Sequence, residues 1–218
     1  NDWRLGRWTA KSAVALFLKV PADPQVLASL EIRSAPSGAP EVFFQNNPAA
    51  VAISLSHRAG IAACAVTGSN GVLGCDLEII EPRSDAFLTD YFTTEEQSFV
   101  VGNCAGDRSL LLALLWSAKE SALKALHTGL RLDTRSVMVG PFDALRDERA
   151  DAKERAGDRT SLVRSSDGLN GWSPLQVRRG EGQVFNGWWQ HTDGLMRTVV
   201  ALPPPEPPIL LAKVTCLN

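Results

Sequence analysis

Between Arg108 and His127 the chain runs for twenty residues without proline or glycine, rich in leucine and alanine, with a tryptophan at 116. This composition predicts a long helix, stopped by Gly129. Trp116 and the surrounding leucines place that helix in the core, so the remaining elements must be arranged around it. Yet the run also carries Lys119, Glu120 and Lys124. Glu120 and Lys124 stand at i and i+4 and therefore share one helix face. An exposed pair of this kind is worth only about 0.3–0.5 kcal/mol and needs no explanation. In a buried helix the same two charges require partners.

A second pair of acids lies about forty residues upstream. Val72 to Ile79 reads as a strand, and Asp76 and Glu78 alternate along it, so they point to the same side. An isolated Asp-x-Glu is usually just exposed. Here Val72, Leu73, Leu77, Ile79 and Ile80 imply a buried strand, where two acids on one face need a partner or a metal. Val51 to Leu55 forms another strand, which delivers Ser56 and His57 at its end, next to Arg58. A lone histidine is more often structural than functional, but this corner suits an anion. Ser56 is not set in a nucleophile elbow, so no Ser-His-Asp triad is supported. Gly68 to Gly74 lacks the Gly-Lys-Ser/Thr ending of a phosphate loop and reads as a hairpin turn. Carboxylates from a strand and a helix beside a lysine point to a divalent metal holding a phosphate.

The remaining chain alternates helical and strand-like segments. Helices are predicted over Arg7–Val20, ended by Pro21, over Pro24–Leu30, and over Asp85–Tyr91 and Thr94–Val101. Thr93 or Thr94 followed by Glu96 and Gln97 resembles an N-terminal cap. Glu31 to Phe44 is split by the turn Ala35–Pro40 into two short strands, and Ile61–Val66 is a further strand. Strands follow near Ser173–Arg178, Gln183–Gln190 and Met196–Leu202, with a last one at Ile209–Thr215 after the Pro-rich, linker-like 203–208. The charged stretch Asp143–Thr160 reads as either a solvated helix or an excursion. Helical material followed by short strands occurs twice, which fits two related α/β halves, divided as 1–76 and 77–218.

Bulk properties exclude several classes. The 218 residues are 44% hydrophobic and 21% charged, as in ordinary globular proteins. A net charge of −2 excludes a generally basic nucleic-acid binder. No apolar run approaches the roughly 18 residues of a membrane span, and no secretory signal opens the chain. The four cysteines form no Cys-x-x-Cys pair, which argues against zinc and redox motifs and for a reduced, cytoplasmic setting. The first residue is Asn1 rather than Met, as in a trimmed or processed chain or a domain of a longer polypeptide.

Four motifs in order carry a resemblance to a known family. They are Ser56-His57, Gly74-Cys75-Asp76-Leu77-Glu78, Phe92-Thr93-Thr94-Glu95-Glu96 and Trp116-Ser117-Ala118-Lys119-Glu120-Ser121-Ala122-Leu123-Lys124. Each alone is weak; the ordered set, spanning about Ser54 to Val139, resembles the Sfp-type 4′-phosphopantetheinyl transferases. The resemblance implies an α+β fold of two similar α/β halves forming a pseudo-dimer, with the active site between them. It implies Mg²⁺-dependent transfer of phosphopantetheine from coenzyme A to a serine hydroxyl of an apo acyl or peptidyl carrier protein, releasing adenosine 3′,5′-bisphosphate.

By that resemblance Asp76, Glu78 and Glu120 would hold Mg²⁺, for which Mn²⁺ can substitute, together with the pyrophosphate. Lys124 would contact the pyrophosphate, and Ser56, His57 and Lys119 would hold coenzyme A phosphates. The general base would be Glu120, with Glu96 and a metal-activated water as alternatives. The early basic cluster of many relatives is largely absent, because only four residues precede Leu5; Arg4, Arg7 and Lys11 are its replacements. The family's Gly-Lys-Pro is here Gly38-Ala39-Pro40, without its lysine. The expected protein is a cytoplasmic monomer that meets its carrier transiently and binds neither membrane nor nucleic acid. The alternatives are a coenzyme A or nucleotide-binding module without transferase activity, and a transferase domain excised from a multifunctional synthase.

Overall fold

The computed structural model describes residues 2–68, 71–140, 171–180 and 182–210. Its first helix, α1 (Asp2–Phe17), starts and ends earlier than the expected Arg7–Val20. The end is set by Lys19, whose φ of +56° turns the chain so that Val20 N–H reaches the Ala15 carbonyl at 2.9 Å. Next comes α2 (Pro24–Ser29), capped by Asp23, whose carboxylate accepts from the N–H groups of Gln25 and Val26. Strands β1 (Leu30–Ser34), β2 (Pro40–Phe44) and β3 (Asn47–Pro48) form an antiparallel sheet, turning at the expected 35–40. A hairpin of β4 (Val51–Arg58) and β5 (Ile61–Gly68) follows. Ala10, Val14 and Ala15 of α1 close a core with Leu30, Ile32, Val42, Val51 and Ile53.

Strand β6 (Val72–Ile79) starts a second sheet. Helices α3 (Asp85–Tyr91), α4 (Thr94–Gly102) and α5 (Cys104–Ala125) come next, then β7 (Val137–Val139), β8 (Ser173–Arg179), β9 (Gln183–Thr192) and β10 (Leu195–Leu202). The sheet is antiparallel in the order β6-β10-β9-β8-β7. The expected division after residue 76 falls inside β6, which pairs with β10 from Val72 to Ile79. The change of sheet is therefore at Val72.

Helix α5 lies across this sheet as its composition requires. Leu111, Leu112, Leu114, Leu115, Ala118, Ala122 and Leu123 are fully buried, in one cluster with Phe92, Phe185, Trp189 and Met196. The helix is closed by His127 (φ +55°) rather than by Gly129, with Thr128 N–H bonded to the Leu123 carbonyl. Gly129, also left-handed, opens a single 3₁₀ turn, Gly129–Arg131. No described helix is long and apolar enough to cross a membrane. The expected excursion at 143–160 lies outside the described residues, as does most of the expected strand at 209–215; Ile209 and Leu210 are not in a strand.

Candidate active site

Glycine- and serine-dependent contacts bring α5 against β6 and its neighbour β10. A Cβ on Gly74 would lie 1.8 Å from the Ser121 carbonyl oxygen, so only glycine lets the helix backbone come this close. Ser117 and Ser121, one turn apart, both hydrogen-bond the Thr198 hydroxyl on β10, at 2.8 and 2.7 Å. Thr198 is the register partner of Asp76. Small residues thus set the distance between helix and sheet, and the larger charged ones meet beside them.

Along that seam helix and strand run in opposite directions. Trp116 Nε1 donates to Glu78 Oε1 at 3.2 Å, and Lys124 Nζ donates to Asp76 Oδ1 at 2.6 Å. Glu120, midway between them on the same helix face, is half-buried. From the other side Ser56, at the end of β4, donates its hydroxyl to Asp76 Oδ1 at 2.8 Å. Cys75 ties the strands together: its N–H donates to Ser54 Oγ and its thiol to the Ser54 carbonyl. Asp76 is 4% exposed, and its second oxygen, Oδ2, is buried without a hydrogen-bond partner among the described residues.

The electrostatics follow from this crowding. Burial, then Asp76, pushes the Glu120 carboxyl above the usual range; Lys124 opposes this and Glu78 adds to it. Burial and Asp76 likewise raise Glu78, against the pull of Arg58, Arg83 and the Trp116 N–H. Arg83 lies 3.2 Å and Arg58 3.7 Å from Glu78 Oε2. Burial works against the charge of Lys124, but Asp76, Cys75 and Glu120 outweigh it and hold its ammonium above the usual lysine range.

A cleft of about 520 Å³ opens beside Lys124. Its walls come from both parts of the chain: Arg7, Arg33, the 37–40 turn and Ser54 on one side, Lys124, His127 and Arg131 on the other. The described lining carries five basic side chains, counting His127, and no acid.

Several expected site residues stand elsewhere. Lys119 is completely buried, and its three protons are directed to Glu96 Oε2 at 2.8 Å and to the carbonyls of Thr134 and Val137. Burial lowers its proton affinity, and Glu96 works against that. Glu96, equally buried, closes the expected capping box with Thr93 and accepts the Val139 N–H at 2.9 Å. The pair joins α4, α5 and β7, is completely buried, and is not part of the cleft lining. Exposed His57 stands against α1, where a Cβ on Gly6 would lie 4.0 Å from its ring. Arg7 lines the cleft, its guanidinium 4.0 Å over the Trp3 ring, while neither Lys11 nor His57 lines it. Arg33, His127 and Arg131 were not anticipated. They come from two distant segments, Arg33 from β1 and the other two from the stretch after α5.

The stretch that supplies both carboxylate positions and the lysine has a counterpart among known families. Residues 72–171 match the model of the 4′-phosphopantetheinyl transferase superfamily. The match covers just under half of the chain and includes Asp76, Glu78, Glu120 and Lys124. It leaves out α1 to β5 and does not distinguish the Sfp-type branch. None of the curated proteins matches the chain.

The donor set can be tested against a divalent cation on its own geometry. Among the described residues no three acid, histidine or cysteine side chains are already gathered as a metal would gather them. Glu78 is drawn toward Arg58 and Arg83. The orphaned Oδ2 of Asp76, with Glu78 and Glu120 whose carboxyls burial and then Asp76 raise, nevertheless describes an oxygen-rich locus. A buried oxygen left without a partner costs about 1–3 kcal/mol, more when charged. A hard cation such as Mg²⁺ fits this set.

Proposed function

We propose that this chain transfers the phosphopantetheine arm of coenzyme A to a serine hydroxyl of an apo acyl or peptidyl carrier protein, releasing adenosine 3′,5′-bisphosphate. The observation that carries the reading is the junction at Lys124. One ammonium group stands both at the carboxylates of Asp76 and Glu120 and in the wall of a basic cleft whose described lining holds no acid. A ligand with phosphates at one end and a reacting pyrophosphate at the other suits that junction. The superfamily match over 72–171 supports the same chemistry.

In this reading Lys124 binds the pyrophosphate as a fixed positive charge, held in place by Asp76. Ser56 orients Asp76 through Oδ1, and Oδ2, without a hydrogen-bond partner among the described residues, is the oxygen Asp76 would offer the cation. Asp76, Glu78 and Glu120 would hold Mg²⁺, which when bound offsets the charge gathering on the phosphates. Glu120, whose proton affinity burial and Asp76 raise, accepts the proton of the carrier serine at a carboxylate oxygen. The serine oxygen bonds to the phosphorus bearing the pantetheine, and the bond from that phosphorus to the bridging oxygen breaks. Because both walls of the cleft come from one chain, the enzyme acts as a monomer, its two halves related as a pseudo-dimer around the cleft.

The direct test of this chemistry is release of adenosine 3′,5′-bisphosphate from coenzyme A, followed by chromatography, with an apo carrier and with the same carrier carrying Ser→Ala at its acceptor. Release with the first alone supports the reading. Release with neither, across carriers from fatty acid, polyketide and nonribosomal peptide synthesis, rejects it.

A further inference from the structure

Glu78 is one of the three acids proposed to hold a cation, yet both of its carboxylate oxygens are already engaged. Oε1 accepts from the Trp116 indole at 3.2 Å, and Oε2 accepts from Arg83 Nη2 at 3.2 Å. Arg58 approaches Oε2 from β4, its Nε 3.7 Å away. Of the three acids, Glu78 is the one with arginine partners among the described residues. A guanidinium and a divalent cation seek the same lone pairs and repel each other across them.

A little further along the chain, Glu81 offers both arginines a second partner. Its Oε1 accepts from Arg58 Nη2 at 3.1 Å and also lies 3.1 Å from Arg83 Nη2. One nitrogen of Arg83 therefore stands between two carboxylates, 3.2 Å from Glu78 and 3.1 Å from Glu81. The backbone beneath it is held, because the Arg83 carbonyl accepts from Arg108 Nη1 at 2.8 Å. A charge shared in this way passes from one acid to the other with little movement. The Glu81 side chain is 40% exposed and that of Glu78 11%, so the carboxylate nearer solvent is the spare one.

We propose that Arg83 competes with a divalent cation for Glu78 Oε2, and that Glu81 receives the guanidinium the cation displaces. The inference rests on the proposed function, which puts Glu78 among the cation's ligands. Arg83 and Glu81 are positioning residues: neither lines the cleft, and both act through Glu78. The exchange weakens the chain's hold on the cation without abolishing it, because the displaced charge keeps a partner.

Titration of the full chain with Mn²⁺ alone, followed by electron paramagnetic resonance, tests this in Arg83→Met, Glu81→Gln and the double variant. Loss of a partly exposed, charge-assisted pair predicts that Arg83→Met binds Mn²⁺ about three- to ten-fold more tightly than wild type. Glu81→Gln, in which both arginines turn to Glu78, binds it about three-fold more weakly. In the Arg83→Met background the effect of Glu81→Gln shrinks to roughly half or less, since residues acting through a shared partner do not add. Unchanged or weaker binding in Arg83→Met would show that the arginine does not compete for Glu78. Additive effects in the double variant would show that only long-range charge is at work; either result overturns the inference. If the wild-type protein binds coenzyme A but no Mn²⁺, the cation locus fails and takes this inference with it, while the coenzyme A reading stands.

Discussion

Lys124 and Asp76 meet through a single oxygen: Nζ lies 2.6 Å from Oδ1, while Oδ2 stays buried and without a hydrogen bond among the described residues. The pair is therefore half-satisfied as it stands. Removing the ammonium leaves Asp76 with the Ser56 hydroxyl as its side-chain partner among the described residues. Breaking a buried pair at one partner costs about 3–5 kcal/mol, and the partial exposure of Lys124 brings the expected loss for Lys124→Met to about 2–3 kcal/mol. Asp76→Asn in the same chain should restore much of it. Urea denaturation of the two single variants and the double variant measures this coupling directly.

The acid cluster also sets a pH dependence. Burial and Asp76 raise Glu78 and Glu120 above the ordinary glutamate range, so the fold favours their protonated forms. Stability from such groups is full below the unfolded value of about 4.3 and is lost as pH rises through the raised folded values. In the presence of a chelator, this contribution to melting temperature should decline from pH 4 toward neutrality. Glu120→Gln should flatten that decline. Added Mg²⁺ should raise the melting temperature more at pH 7.5 than at pH 5, where protonated carboxyls bind it poorly.

Lys119 and Glu96 predict the opposite pattern from active-site residues. Lys119→Met strands a fully buried carboxylate and should cost about 3–5 kcal/mol. Folded Glu96→Gln, which keeps an acceptor for the Thr93 or Val139 N–H, should be milder. In whatever fraction folds, affinity for coenzyme A should match the wild type. Calorimetry on circular-dichroism-verified material separates the two effects, and a selective loss of affinity would return these residues to the site.

Gly74 is the closest backbone approach at the seam. Gly74→Ala drives a Cβ to 1.8 Å from the Ser121 carbonyl and should cost about 3 kcal/mol or more, since strand and helix must separate. Gly102→Ala, whose added methyl group meets nothing, should be neutral or slightly stabilising. Thermal melts of the two variants compare a glycine needed for packing with one that is not.

Much of this arrangement was legible in the linear sequence because it is local. The 72–79 strand, the 85–91 helix and the capping box at Thr93 follow from alternation, turn residues and a cap signature within a few positions. Glu120 and Lys124 on one face follow from helical spacing alone. The motif order also brought Asp76, Ser56 and Lys124 to one place. What stayed hidden depends on contacts between distant segments. Lys119 sits one residue from Glu120, yet that single step turns it about 100° around the helix and into the core. Glu96 is equally charged on paper, but its capping position directs it inward. The cleft's Arg33 and Arg131 come together only because the β1–β2 turn folds against the end of α5. His127 as the helix stop was concealed by the neighbouring glycine, which is the commoner choice for a left-handed residue.

The most direct measurement is the intact mass of an apo carrier protein after incubation with coenzyme A, Mg²⁺ and this chain, beside its Asp76→Asn, Glu120→Ala and Lys124→Met variants. A gain of one phosphopantetheine with the wild type, absent with chelator and strongly reduced in folded variants, is the predicted result. An unmodified carrier across the three carrier classes, with coenzyme A still bound by the chain, would contradict the account and leave a binding module in its place.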